Sequence, residues 1–121
     1  MKVLVLGATG QTGYHVVKQL IENSIQVKAI VRNVDKFKDI QSNKNLKIFR
    51  ENILDIEDEI FKEILADVDV VISCLGHNIS LKGIFGNPHY LVTEAINKTI
   101  RNGNDKNLKK IVLMNTTAFL N

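Results

Sequence analysis

The sequence predicts a three-layer α/β fold, a doubly wound parallel sheet of five strands in the order 3-2-1-4-5 with helices on both faces. Two observations predict it. Short, continuous apolar runs alternate with segments of helical periodicity along the whole chain, so each strand is joined to the next by a crossover that covers a face of the sheet. In addition, a glycine-spaced turn, Gly7-Ala8-Thr9-Gly10-Gln11-Thr12-Gly13, stands between the first run and the first helix.

The elements follow in order. Residues 3–6 (Val-Leu-Val-Leu) suit a strand buried on both faces. Past the glycines, Val16, Val17, Leu20 and Ile21 recur at helical spacing, Lys18, Gln19 and Glu22 take the other side, and Asn23-Ser24 is a stop. Residues 27–31 and 46–49 are the second and third runs. Asp55 reads as the N-cap of a second helix, with Ile56, Ile60, Phe61, Ile64 and Leu65 on one face. Residues 69–73 (Asp-Val-Val-Ile-Ser) are the fourth strand. Asn87-Pro88 is an N-cap followed by proline at the first helical position, and Gly103 is the stop. Between them Leu91, Ala95, Ile96 and Ile100 are expected to face inward, and residues 111–114 are the fifth strand. In a sheet of this order ligands bind where the order reverses, at the carboxyl ends of strands one and four. Those ends are Leu6-Gly7 and the segment Ser73-Cys74-Leu75-Gly76.

Composition bounds the chemistry. The 121 residues are expected to form one domain, long enough to bury a core. Sixteen Lys and Arg against thirteen Asp and Glu leave a net charge of +3, too mild to imply nucleic acid. The lone cysteine, Cys74, excludes an internal disulfide, fits a reducing cytosol, and reads as a small buried side chain rather than a reactive thiol. No apolar stretch is long enough for a membrane span, so the expectation is a soluble cytoplasmic protein without membrane or nucleic-acid partners. His15 and His89 have no companions at ligand spacing, and no metal site is expected.

The glycine turn has a chemical reading. Gly7 permits a tight turn off the strand, Gly10 lets backbone N–H groups approach a pyrophosphate, and Gly13 lets the helix lie close to the sheet. The helix N-terminus then offers unpaired N–H donors and a partial positive charge, with Thr9, Gln11 and Thr12 adding polar side chains. Together these describe a Rossmann-type dinucleotide site. Selectivity is set at the end of strand two, where a carboxylate would accept from a ribose 2′-hydroxyl. Here Arg32 holds that place, and a guanidinium grips a 2′-phosphate with paired charge-assisted bonds. Lys36 stands close enough to assist. NADP(H) is therefore the favoured cofactor, while Asp35 keeps NAD(H) open.

The spacing G-x-x-G-x-x-G, rather than G-x-G-x-x-G, resembles the short-chain dehydrogenase/reductase superfamily. Within it the run GATGQTG is most similar to the atypical branch of NmrA-like and NADH-flavin-reductase-like proteins. Val31-Arg32-Asn33, Asn52-Ile53-Leu54-Asp55, residues 66–73 and residues 109–117 carry the resemblance onward in the expected order. It implies that Asn52 and Ile53 line an adenine pocket, and that Leu75-Gly76 lets the chain pass the adenosine. It also implies that Thr116 and Thr117, after strand five, occupy the position of the hydroxyl that orients a carbonyl. The companion Tyr-x-x-x-Lys occurs only as Tyr14 to Lys18, on the helix leaving the phosphate turn, and reads as a chance match. His77, Asn78 and Ser80 sit in a long segment, residues 76–87, expected on the substrate side.

Members of that branch run well beyond strand five, so the chain is expected to be an N-terminal portion lacking the segment that covers strand five, or else a minimal form completed by a partner or a second copy. The expected function is hydride transfer from NADPH to a flavin, quinone or carbonyl acceptor. The alternative is a non-catalytic NmrA-like dinucleotide sensor acting through a protein partner. Sugar-nucleotide epimerase chemistry fits less well without a correctly placed Tyr-x-x-x-Lys.

Overall fold

The computed structural model describes residues 1–8, 10–75, 88–103 and 110–113. Its elements in chain order are β1 (Lys2–Leu6), α1 (Gln11–Glu22), β2 (Gln26–Val31), a single 3₁₀ turn (Asp35–Phe37), β3 (Leu46–Arg50), α2 (Asp58–Leu65), β4 (Val70–Ser73), α3 (Pro88–Gly103) and β5 (Lys110–Leu113). The strands form one sheet in the order β3-β2-β1-β4-β5, every pair parallel, as the sequence predicts. β1 is central, with Leu6 opposite Ile30 of β2 and Ser73 of β4. The chain leaves β1, β2 and β4 at one edge of the sheet, which places the ends of three strands side by side.

Side-chain alternation divides the core into two layers. On one face Val3, Val5, Val27, Ala29 and Val31 pack with Val17 and Ile21 of α1 and with Phe37 and Ile40 from the connection after β2. On the other, Leu4, Leu6, Ile30 and Val71 pack with Phe61, Ile64 and Leu65 of α2 and Ala95 of α3. Burying each large side chain contributes about 1.5–3 kcal/mol before entropy is counted. α1 ends where Asn23-Ser24 predicts. Ser24 takes a left-handed conformation (φ 62°), and the Ile25 N–H donates back to the Leu20 carbonyl at 3.0 Å.

Three local expectations are corrected. α2 begins at Asp58 with Glu57 as its N-cap, not at Asp55. The Asp55 and Ile56 N–H groups instead donate to the Asn52 carbonyl at 2.9 and 3.0 Å, so that stretch is a turn in its own right. Ile60 and Ile100 are exposed, at 41% and 46%; on α3 the expected Ala95 is buried, and Thr99 and Asn102 are buried with it. Thr99 satisfies its hydroxyl on the Ala95 carbonyl at 2.8 Å. Gly103 is itself helical, and the side chain of Leu91 lies outside the described residues.

Among the described residues, one charged side chain is built into the core. Lys28, in the middle of β2, is buried, and its ammonium reaches the C-terminus of α2, donating to the Ile64 carbonyl at 2.8 Å and to Asp67 at 2.6 Å. A cation at that end of a helix also complements its dipole. Asp67 is shared with Lys2 at 2.5 Å, and the two ammonium groups hold its carboxyl down at about 2. Among the described residues no helix is long and apolar enough to cross a membrane.

Candidate functional site

Gly7 leaves β1 with φ 70°, in the left-handed region that favours glycine. A Cβ there would lie 2.9 Å from the backbone of Cys74 and Leu75, because β4 exits directly against it; the Cys74 N–H donates to the Leu6 carbonyl at 2.8 Å. Gly13 is the third residue of α1, and a Cβ on it would drive into the Gly7 carbonyl and come within 2.8 Å of the Ala8 Cα. These two contacts seat the first turn of α1 on the end of β1.

Gly10 is different. Its backbone is extended (φ −67°, ψ 165°), and a Cβ would meet only the Gly7 carbonyl oxygen, at an ordinary 3.5 Å. Among the described residues, chain neighbours aside, nothing else comes within 4 Å of that position. Gly10 is also the N-cap of α1 and offers no side-chain cap, and the first turn of the helix carries no acidic residue. By contrast, the first turn of α2 holds Asp58 and Glu59. The N–H groups that open an α-helix have no intrahelical partner, and among the described residues no capping side chain or first-turn acid meets those of α1. This is a backbone cradle for an anion, and a dinucleotide pyrophosphate fits its donor set.

Arg32 follows the last residue of β2 at the same edge of the sheet and is exposed. Next to it the Asn33 side chain accepts the Asp35 N–H at 2.9 Å, turning the chain into the 3₁₀ turn where Asp35 and Lys36 are both exposed. The β2–β3 register places Arg50 opposite Val31, so β3 also ends in an exposed cation, one register position before Arg32 at the same end of the sheet. Sequence reasoning missed Arg50. Aligning the second and third apolar runs by their ends would have found it, since a parallel pair brings both ends to one edge.

Asn52 is half-buried, and its side-chain oxygen accepts the Leu54 N–H at 3.0 Å, which sets the turn after β3. Ile53 is buried within the α2-side core, and Leu75 is buried beside the same layer. Thr12 is half-buried in the first turn of α1. Burial pushes the Cys74 thiol up to about 11, so it is neutral and packed in the α1-side core. Tyr14 and Lys18 lie on α1, where Tyr14 donates to the Asp39 carboxylate and packs against Phe37. Thr9, Gly76, His77, Asn78, Ser80, Thr116 and Thr117 lie outside the described residues, as does the side chain of Gln11. Among the described residues no three His, Cys, Asp or Glu side chains gather at a point that could hold a metal.

Comparison with known proteins fits this geometry. Residues 7–120 match a family model described as NAD(P)H-binding. An uncharacterized chloroplastic protein of Arabidopsis thaliana is 40% identical over 76 residues, which is 62% of this chain and 27% of that protein. Among solved structures, the oxidoreductase ylbE of Lactococcus lactis superposes with a TM-score of 0.69 at 21% identity, over 93% of this chain and 47% of its own. The yeast methylglyoxal/isovaleraldehyde reductase Gre2, solved with NADPH, gives 0.69 at 19% identity over 98% of this chain and 39% of its own. The dTDP-glucose 4,6-dehydratase DesIV of Streptomyces venezuelae, solved with NAD, gives 0.75 at 14% identity over 92% and 38%. At these identities the likeness is one of fold, and the chain spans less than half the length of each.

Proposed function

The chain belongs to the NAD(P)H-binding family, and from that premise we propose that it is the cofactor-binding part of an atypical, NmrA-like short-chain reductase that prefers NADP(H) to NAD(H). One observation carries the reading. Among the described residues, the N-terminus of α1 has no side-chain cap and no acid, is held against β1 by Gly7 and Gly13, and at Gly10 would let a Cβ meet only ordinary contact, at the point where the strand order reverses. In this reading the first-turn N–H groups of α1 hold the pyrophosphate, and Arg32 holds the 2′-phosphate with Lys36 and Arg50 adding positive charge. Asn52 keeps its oxygen in the turn after β3 and turns its amide nitrogen to the adenine. Ile53 and Leu75 supply the apolar walls.

When bound, the dinucleotide supplies the hydride, and the acceptor is a small molecule of the flavin, quinone or carbonyl class. Thr116 and Thr117 are the hydroxyls proposed to orient that acceptor. A further segment or a second copy covers the β5 edge, and a single buried, neutral thiol suits a cytoplasmic setting.

The test is a pair of titrations. Arg32→Glu should weaken NADPH by roughly ten- to a hundredfold, the value of one bidentate charge-assisted contact, and change NADH by less than threefold. Equal losses for the two would remove Arg32 from the 2′-phosphate. NADPH oxidation by the complete protein with flavin, quinone and carbonyl acceptors then separates a reductase from a sensor, which binds the dinucleotide without turning it over.

A further inference from the structure

The connection between β2 and β3 carries Arg32 and Lys36, yet it belongs to neither strand, and something must hold it in place. Part of the answer is apolar: Phe37 and Ile40 are buried in the α1-side layer, and the Phe37 carbonyl accepts the N–H groups of Ile40 and Gln41 at 2.9 and 2.7 Å. The other part is Tyr14. Its backbone N–H donates to the Gly10 carbonyl at 2.9 Å, which ties it to the glycine turn. Its ring lies 6.0 Å from that of Phe37, and its hydroxyl donates to the Asp39 carboxylate. One residue therefore joins the helix turn that receives the pyrophosphate to the segment that receives the ribose phosphate.

We propose that the Tyr14–Asp39 hydrogen bond is a positioning device for dinucleotide selectivity, fixing the segment that carries Arg32 and Lys36 against α1 so that both phosphate groups of NADP(H) meet donors at a preset spacing. The inference rests on the dinucleotide reading above. Its physical basis is preorganisation: a segment already ordered in the free protein costs the ligand nothing to order on binding. NAD(H) draws mainly on α1 backbone donors, which do not depend on Asp39. NADP(H) needs the guanidinium in place as well. Tyr14 and Asp39 touch no ligand in this scheme and act through Arg32.

The experiment compares Tyr14→Phe, Asp39→Ala and the double variant, with Asp39→Asn as the conservative control that keeps an acceptor for the hydroxyl. Tyr14→Phe keeps the ring against Phe37 and removes only the bond. It should raise the Kd for NADPH about three- to tenfold and that for NADH less than twofold. Asp39→Ala should match it, the double variant should lose no more than either single one, and Asp39→Asn should stay within about twofold of the native chain. Amide exchange in the free protein gives a second readout: Tyr14→Phe should speed exchange at Phe37, Ile40 and Gln41 and leave β1 and β2 unchanged. Unchanged exchange, or equal losses for the two dinucleotides, overturns the proposal. A native chain that binds neither dinucleotide overturns the dinucleotide reading instead, and exchange alone then decides whether the bond orders the segment.

Discussion

At Gly10 the backbone is extended and a methyl group would find ordinary contact, whereas at Gly13 the same methyl would enter the Gly7 carbonyl. The two glycines therefore separate under substitution. Gly13→Ala should destabilise the chain by about 1–3 kcal/mol in urea unfolding, the cost of forcing a packed contact apart. Gly10→Ala should leave the unfolding midpoint within the scatter of the native chain and weaken both dinucleotides at least tenfold in titration. A Gly10→Ala chain that binds normally would place the pyrophosphate elsewhere. The constraints on Gly7 and Gly13 were legible in the sequence, because a glycine directly after a buried strand and another in the first turn of the following helix answer to backbone geometry alone. Tyr14–Asp39 and Arg50 were not. They depend on which residues the chain brings together across 25 positions and across a strand pair, and no local pattern encodes either.

Among the elements, β2 shows how an apolar run can conceal a charge. Residues 27–31 read as a continuous buried strand, and Lys28 in their midst is buried as well, which requires a counter-charge. Asp67, in the turn before β4, provides it, at a distance in sequence that periodicity cannot see. The carboxyl is held below its ordinary range in the folded state, so it stabilises the fold fully above about pH 4, its unfolded value, and that contribution fades as pH falls through about 2. Asp67 is half exposed, so its worth at neutral pH is discounted to the order of 1 kcal/mol. The stability gap between the native chain and Asp67→Asn should accordingly be constant above pH 5 and close toward pH 2 in acid-dependent urea unfolding. A gap that persists at pH 2 would mean that Asp67 acts by shape and not by charge. The late start of α2 has a similar origin: Asn52 organises its own turn with side chain and carbonyl, and this overrides the capping propensity of Asp55.

For the whole molecule, the strand order was legible because five apolar runs separated by helical segments leave few ways to wind a parallel sheet, and right-handed crossovers remove most of those. The candidate cofactor class was legible for the same reason, since it depends on backbone and glycine at one fixed place in that topology. The proposed acceptor was not legible, because in residues 76–87 and 114–121 neither periodicity nor spacing specifies a chemistry. Ligand linkage gives a global check. NADPH at a hundred times its Kd should stabilise the fold by about 2.7 kcal/mol and raise the melting temperature on the order of 10 °C, while adenine alone should have little effect. No rise would mean that the folded chain has no preference for the dinucleotide. The polar brace of Lys2, Lys28 and Asp67 stands at the opposite end of the sheet from Gly10, and Arg32, Asn33, Asp35, Lys36 and Arg50 are all exposed at the binding rim. Under the proposed dinucleotide reading, coenzyme choice rests on this handful of exposed side chains, none of which is itself part of the core. If that proposal holds, exchanging those five side chains should switch the preferred dinucleotide while leaving the buried core, and with it the unfolding midpoint, unchanged.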